Sequence, residues 1–471
     1  MHEDTSSGEI EYMSRYFGSR QPDINNLLSP FQRFTSQEAF SGILLMICTV
    51  IALLWANSTL DDLYHRIWHA HLILGVPKFL LDEPVHFWIN DALMAIFFFV
   101  VGLEIKRSVF LGELASARSA ALPVVAAIGG MVVPAGCYLL FNWSSPDAFK
   151  GWAIPMSTDI AFSLGVLALL GTRIPLSLKV FLTAFAIVDD IGAVVVIAVF
   201  FTDTISWINL AVGGALLGFL VIANWINVRN PLFYALVGIV IWVSFFQSGI
   251  HPTIAGVLIA MVIPLRVEID PRQFADRARQ LITEFEEDGN TGPRRGRSAL
   301  TTIKQRAVLE ELEEASKEVE SPLQRLEHLL HPWVALLIMP LFALSNAGVD
   351  LGKDVIDILM SQVSIGIFLG LVVGKPLGVV IFSWLAIKSG FANMPEQTNW
   401  WHILGAAWLG GIGFTMSIFV TGLAFDGTEV LIAQAKTSIL VASLVAGIAG
   451  YITLRNGSIR KDRNGFPGHG E

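Results

Sequence analysis

The fold that we predict for this chain depends on the stretch Gly151-Trp152-Ala153-Ile154-Pro155-Met156-Ser157-Thr158-Asp159. This stretch lies inside an apolar segment, residues 150–171, that is long enough to cross a bilayer as a helix. A proline removes an intrahelical hydrogen bond, and an ionisable group at the centre of a membrane helix is costly enough to indicate a function. We therefore expect the helix to be broken near Pro155, with Asp159 at the membrane midplane.

A second interruption is predicted in the segment 401–424. There, Gly410-Gly411-Ile412-Gly413-Phe414-Thr415 places three glycines at a similar depth. Close helix packing is the competing interpretation of these glycines, since glycine is common where membrane helices touch. Two interrupted helices in corresponding positions of two three-helix units are, however, the sequence pattern of a transporter binding site. Asp159 in the first unit favours this second interpretation.

Composition and segment lengths predict an all-α polytopic membrane protein. Of the 471 residues, 54% are hydrophobic and only 15% are charged, a balance that favours lipid over water as the surroundings. A helix needs about 20 apolar residues to span a bilayer. Twelve segments meet this length approximately: 40–57, 86–105, 119–141, 150–171, 176–200, 206–225, 231–247, 249–264, 329–349, 362–388, 401–424 and 430–453.

Lysine and arginine predict the orientation of these twelve helices. On the side that holds both termini the loops and tails carry 24 of these residues, and the other side carries 4. Without the long loop the ratio is still 13 to 4. Because cytoplasmic loops carry the positive excess, both termini are predicted to be cytoplasmic.

Five regions follow from this topology. We predict a cytoplasmic tail at 1–39, helices one to eight at 40–264, a charged cytoplasmic loop at 265–328, helices nine to twelve at 329–453 and a second cytoplasmic tail at 454–471. The loop, with charge runs at 284–288 and 294–297, is interpreted as a solvated and partly helical segment, with a regulatory role as the alternative. Residues 61–84 are interpreted as a periplasmic hairpin that pairs two subunits.

Four ionisable side chains lie near the centres of predicted helices. They are Asp159, Asp189, Asp190 and Lys375. Asp189 and Asp190 are consecutive and so point about 100° apart around a helix. Because two carboxylates in a low-dielectric site repel each other, we expect them to take up either a proton or a hard cation. Asp159 is expected to balance the positive ends of broken helices, and Lys375 either the negative ends or Asp189.

These segments resemble the NhaA family of sodium/proton antiporters over residues 36–455. The resemblance rests on six blocks in order: 88–95 (Trp-Ile-Asn-Asp-Ala-Leu-Met-Ala), 101–107 (Val-Gly-Leu-Glu-Ile-Lys-Arg), 151–160, the Asp189-Asp190 segment, 325–328 with His331-Pro332, and 374–378 (Gly-Lys-Pro-Leu-Gly). It implies twelve helices with inverted-topology repeats, and discontinuous fourth and eleventh helices that cross. Ser157, the long amino-terminal tail and the enlarged 266–327 loop depart from the family pattern.

The resemblance also implies the transported ions and the residues that bind them. Asp189 and Asp190 would bind Na⁺ or Li⁺ in competition with protons, with Thr158 and Asp159 close by. Lys375 would act either as a proton carrier or as the structural partner of Asp189. The family further implies electrogenic exchange across the bacterial inner membrane, without a cofactor or enzymatic activity.

A second group of residues matches positions that the family links to pH activation. These are Glu104, Arg107, Glu327, His328, His331 and His251. Histidine titrates near neutral pH, which suits this role. A metal site at His328 and His331 is the competing interpretation, although the His-Glu-x-x-His order of zinc proteases is missing. His251 is predicted at the periplasmic end of helix eight, away from the cytoplasmic ends that hold Glu104 and Arg107, and a lone histidine is also often structural.

Other functional classes fit the sequence less well. A net charge of −9 without a basic, aromatic-rich run argues against nucleic acid as a partner. An intramembrane aspartyl protease would need its two aspartates on different helices, whereas Asp189 and Asp190 are neighbours. A solute symporter that shares the fold remains the alternative, because broken helices serve many substrates. The expected partners are therefore Na⁺, Li⁺, H⁺, the lipid bilayer and a second copy of the chain.

Overall fold

A computed structural model of the chain describes residues 24–76, 79–202, 205–267, 269–290, 303–350 and 355–464. Most of the predicted amino-terminal tail, the 294–297 charge run and the last residues of the carboxyl-terminal tail lie outside these ranges. The described chain is almost entirely helical. Its elements, in order, are α1 (Ile24–Ala56), α2 (Asp61–Trp68), β1 (His71–Val76), β2 (Phe79–Pro84), α3 (Val85–Phe110), α4 (Ala117–Asn142), α5 (Pro146–Met156), α6 (Ile160–Leu169), α7 (Leu176–Phe200), α8 (Trp207–Trp225), α9 (Pro231–Ser248), α10 (Thr253–Val262), α11 (Pro271–Asn290), α12 (Ile303–Val319), α13 (Pro322–Asn346), α14 (Val355–Leu359), α15 (Gln362–Lys388), α16 (Trp400–Gly410), α17 (Phe414–Ala424) and α18 (Glu429–Asn464).

Within the described residues, eight helices are long and apolar enough to cross a membrane: α3, α4, α7, α8, α9, α13, α15 and α18. Two further spans are broken. The pair α5 and α6 and the pair α16 and α17 each bend by 43° at a short interruption. A third pair, the apolar part of α1 followed by α2, bends by 117°. The described chain therefore holds between eight and eleven spans by length and composition, and it is a multi-pass membrane protein.

The predicted span at 249–264 is shorter than expected. Gly249 adopts φ +83°, which ends α9 in the left-handed conformation that favours glycine. The helix that follows, α10, has only 10 residues. Pro264 explains where it ends, because the residue before a proline avoids helical geometry and Ile263 has ψ 134°. This segment is too short to cross a bilayer as a straight helix.

Glycines bring several helix pairs into close contact. A Cβ built on Gly129 of α4 would meet the carbonyl oxygen of Gly378 on α15, and one built on Gly378 would meet that of Gly129. On α10, a Cβ at Gly256 would likewise meet the carbonyl oxygen of Ala95 on α3. Small residues of this kind let membrane helices approach through their backbones. The packing role that the sequence suggested for glycines therefore applies to these helix pairs.

Two additions project from the helical core. The hairpin predicted within 61–84 is present, with β1 and β2 antiparallel in the register His71↔Pro84 to Val76↔Phe79. The predicted charged loop contains a pair of packed helices, α11 and α12, which Arg277 joins through ion pairs to Glu311 (3.2 Å) and Glu318 (3.1 Å). The loop is therefore helical over most of its described length.

The close contact between α4 and α15 predicts a stability difference between two glycines of the same helix. Gly129→Ala should destabilise the protein by about 1–3 kcal/mol, because the new methyl group would meet backbone and force the helices apart. Gly136→Ala is the matched control, since a Cβ at this position has no neighbour within 4 Å. Thermal unfolding in detergent should show a lower midpoint for Gly129→Ala only. Equal midpoints for the two variants would contradict the contact.

Candidate functional site

The two helix interruptions meet each other inside the protein. The first, Ser157–Asp159, separates α5 from α6, and the second, Gly411–Gly413, separates α16 from α17. The amide N–H of Asp159 donates a hydrogen bond to the carbonyl oxygen of Ile412 (2.7 Å). The Thr158 hydroxyl donates to the carbonyl oxygen of Gly410 (2.8 Å). The break occurs two residues after Pro155, and the glycine cluster forms the second break as predicted.

Asp159 joins the amino ends of the two half-helices α6 and α17. One of its carboxylate oxygens accepts from the amide of Phe162 (2.9 Å). The other accepts from the amide (3.2 Å) and the hydroxyl (2.5 Å) of Thr415. The amino end of a helix carries a partial positive charge and unpaired N–H groups, both of which a carboxylate satisfies. The buried Asp159 therefore balances the positive ends, as its position suggested.

Lys375 interacts with the carboxyl end of the half-helix α5, whereas Asp159 interacts with amino ends. Its ammonium group lies 2.7 Å from Asp189 Oδ2 on α7 and also donates to the carbonyl oxygen of Met156, the last residue of α5. The side chain is fully buried. The two arrangements that the sequence left open for Lys375 therefore occur together. An ammonium with its hydrogen-bond acceptors in place can be kept in the apolar interior.

Asp190 is in a different environment from its neighbour Asp189. Both side chains are buried, and the Oδ1 atom of each has no hydrogen-bond partner among the described residues, but Asp189 has the Lys375 ammonium at its Oδ2 atom. Asp190 lines a cavity of about 80 Å³ together with Thr158, Asp159 and Glu104. A buried carboxylate without partners is costly unless it binds a proton or a cation. The cavity offers carboxylate and hydroxyl oxygens, which are the ligands that small hard cations prefer.

Five of the residues predicted to respond to pH lie on two helices, α3 and α13, beside this cavity. Glu104 of α3 and His331 of α13 line the cavity itself. Arg107 and Glu327, on the same two helices, form an ion pair with Nε and Oε2 3.0 Å apart. His328 is next to Glu327 in the chain and is exposed. These five residues therefore gather where α3 meets α13.

The structure separates His251 from this group. Its Nδ1 atom lies 3.4 Å from Asp91 Oδ1, and its ring stacks on Phe419. Asp91 precedes Glu104 by 13 residues on α3, a distance of about 20 Å along a helix. His251 and Asp91 line a second cavity, of about 840 Å³, together with Lys150 and Asp426. The structure does not bring His251 together with the other predicted pH-responsive residues.

Several contacts at the site could not be assigned from the sequence. Thr415, which holds Asp159, follows the glycine cluster as the second residue of a half-helix, and this position was the only available signal. Nothing in the sequence indicates that the Met156 carbonyl accepts from Lys375, because every residue has a carbonyl group. Ser157, a departure from the family pattern, lies 3.2 Å from the Ser417 hydroxyl across the two breaks. The described residues contain no group of three or more histidine, cysteine or acidic side chains suited to a metal, as the alternative at His328 and His331 would need.

The sequence matches known proteins over nearly its whole length. Residues 32–454 match the family described as Na⁺/H⁺ antiporter 1. A relative from Koribacter versatilis, named Na⁺/H⁺ antiporter NhaA, is 50% identical over 94% of this chain and 95% of its own length. A relative of the same name from Oleidesulfovibrio alaskensis is 49% identical over 93% of this chain and 96% of its own. A third, Na⁺/H⁺ antiporter NhaA 1 of Saccharophagus degradans, is 45% identical over 94% of each chain. The family match and these identities, over nearly the whole chain, place this protein in the Na⁺/H⁺ antiporter 1 family.

Proposed function

We propose that this protein exchanges cytoplasmic Na⁺ for external H⁺ across the bacterial inner membrane, with Asp190 and Asp189 as the shared binding site. The observation that carries the proposal is the buried Asp190 carboxylate, which has an oxygen without a hydrogen-bond partner among the described residues and lines a small cavity with other oxygen ligands. A Na⁺ ion or a proton can satisfy this oxygen, but not both at once. Li⁺, a smaller hard cation, competes for the same oxygens.

Asp189 links the binding site to Lys375. An incoming Na⁺ attracts the Asp189 carboxylate and competes with the ammonium group, 2.7 Å away, for it. Release of a proton, from Lys375 or from a carboxyl group, then offsets the added positive charge. Exchange of more than one proton for each Na⁺ makes the cycle electrogenic, so that the proton gradient drives Na⁺ out.

The contact between the two breaks supports an inverted-repeat architecture. In this arrangement α4 to α7 form one three-helix unit and α15 to α18 the other, with the broken helices crossing at the binding site. The twelve-helix topology counts α1, the two broken pairs and the short α10 as spans. Both termini and the α11–α12 hairpin then lie in the cytoplasm, where most lysines and arginines are expected.

We also propose that the residues where α3 meets α13 regulate exchange by pH. The Arg107–Glu327 ion pair joins the two helices, while Glu104 and His331 line the cavity that leads to Asp190. The exposed His328 adds a further titratable group beside Glu327. A change of charge in this group alters how α3 and α13 pack and hence how the cavity admits Na⁺.

The β1–β2 hairpin is proposed to join two copies of the chain. A two-stranded hairpin alone is marginally stable in water, and its edges can pair with another strand. Leu72, Ile73 and Leu80 are 43%, 59% and 60% exposed, which leaves apolar surface for a partner. A second hairpin would extend the sheet and cover these side chains.

Asp190→Asn should abolish the exchange. Asparagine keeps the size of the side chain but can neither release a proton nor offer a negative charge to Na⁺. In inverted membrane vesicles with a pH-sensitive dye, Na⁺ or Li⁺ should dequench the dye for the native protein and for Asp147→Asn, an exposed control on α5. Asp190→Asn should give no response. A native protein that fails to respond to either cation between roughly pH 6 and 9 would favour a solute symporter.

Exchanging the charges of the α3–α13 ion pair tests the pH proposal. Glu327→Arg should move the midpoint of the activity profile by about 0.5 pH unit or more, because it places two cations together at a half-buried contact. Arg107→Glu combined with Glu327→Arg should restore most of the native profile. Dequenching measured at a series of pH values gives the midpoint. An unchanged midpoint in the single variant would rule out this ion pair as a regulator.

Acidic substitutions in the hairpin should separate the two copies. Ile73→Asp combined with Leu80→Asp places like charges on the proposed contact, and light scattering in detergent should then report a monomer. Leu60→Asp changes an equally exposed apolar residue before α2 and should leave a dimer. A dimer that survives in the hairpin variant would show that another surface holds the copies together.

A further inference from the structure

The Lys375 ammonium has a third neighbour besides Asp189 and the Met156 carbonyl. Phe185 of α7 places its ring beneath the ammonium, with Nζ 5.8 Å from the ring centroid. We propose that Phe185 is a positioning residue that holds the ammonium on Asp189 and so sets the affinity for Na⁺. This inference rests on the exchange function proposed above.

The position of Phe185 in the chain explains how it reaches this place. It precedes Asp189 by four residues on α7, so the two side chains lie on the same face of the helix, one turn apart. Its ring is almost completely buried, at 1% exposure. One helix therefore presents both a carboxylate and an aromatic ring to the same ammonium group.

Two glycines on different helices make room for the ring. A Cβ built on Gly410, the last residue of α16 before its break, would lie 2.9 Å from a Phe185 ring carbon. One built on Gly130 of α4 would lie 3.2 Å from the ring. Phe181, one turn earlier on α7, stacks against Phe185 at 6.4 Å between centroids. The ring is therefore confined by neighbours on three different helices.

The attraction between ring and ammonium is electrostatic. The face of an aromatic ring carries partial negative charge and attracts a cation within about 6 Å of its centroid, more strongly where water is excluded. An ammonium group has three N–H groups, and the two oxygen acceptors of Lys375 account for two of them. The ring therefore adds electrostatic stabilisation to the charged Lys375 side chain. The distance of 5.8 Å lies near the outer limit of this effect.

Stabilisation of the Lys375 ammonium beside Asp189 has a direct consequence for Na⁺ binding. Sodium must draw Asp189 away from the ammonium, so any group that stabilises the ammonium beside Asp189 opposes Na⁺. Weakening the ring should therefore lower the Na⁺ concentration needed for half-maximal exchange. A residue that acted only as packing would change stability or overall rate instead.

Fluorination of the ring tests the inference with little change in its shape. Phe185 is replaced by 4-fluoro-, 3,4-difluoro- and 3,4,5-trifluorophenylalanine, which progressively remove the negative charge of the ring face. The KM for Na⁺ should fall stepwise, by about two- to fivefold over the series, with kcat changing less than KM. Phe185→Leu, which removes the ring but keeps an apolar side chain, should change KM in the same direction.

Phe181 provides the matched control. It is equally buried on the same helix and stacks on Phe185, and the described contacts include no cation over its ring. The same fluorination series at Phe181 should leave KM unchanged. A flat series at Phe185, or equal shifts at both positions, would overturn the role of Phe185 while the native protein still exchanges Na⁺. Failure of the native protein to exchange Na⁺ would instead overturn the proposed function.

Discussion

Four half-helix ends meet inside the membrane-spanning core, and the charges that balance them hold this site together. Each interruption leaves backbone N–H and carbonyl groups without intrahelical partners in a place where water is scarce. Asp159 accepts hydrogen bonds from both amino ends, and Lys375 donates to the carbonyl that ends α5. The hydroxyl groups of Thr158 and Ser163 donate hydrogen bonds to the carbonyl oxygens at the end of α16. Without these partners two broken helices in an apolar core would be too costly to form.

Within this frame, Asp190 is the paired aspartate that lines the cavity. Asp159 and Lys375 have hydrogen-bonding partners within the protein, and Asp189 has Lys375 at its Oδ2 atom. The Oδ1 atoms of both Asp189 and Asp190 lack a hydrogen-bond partner among the described residues, but of the two residues Asp190 is the one that lines the cavity. Glycine contacts such as that of Gly129 with Gly378 hold the surrounding helices at backbone distance. A proton or cation at this cavity is therefore surrounded by closely packed helices.

The helix α3 connects this frame to both cavities. Near its end Glu104 lines the cavity of Asp190, and near its start Asp91 lines the larger cavity with His251. Its glycine contacts with α10 tie it to the segment that leads into the charged loop. Lys106 adds to this connection by donating to the carbonyls of Met261 and Ile263 at the end of α10. The helix α3 therefore contacts both the proposed ion site and the segment that precedes the charged loop.

The sequence by itself determined the helical membrane architecture, the two interruptions and the four buried ionisable residues. Apolar length, proline, glycine and charge act locally along the chain, so these features are readable from residues such as Pro155, Gly411 and Asp190. The sequence did not determine the short length of α10 or the contact of His251 with Asp91. It also left open whether Lys375 balances a negative helix end or pairs with Asp189. In the folded chain Lys375 does both, because Met156 and Asp189 lie beside the same ammonium group. Thr415 on Asp159 and Phe185 beneath Lys375 likewise join residues far apart in the chain. Such contacts depend on how helices pack against one another, and packing is a property of the tertiary structure.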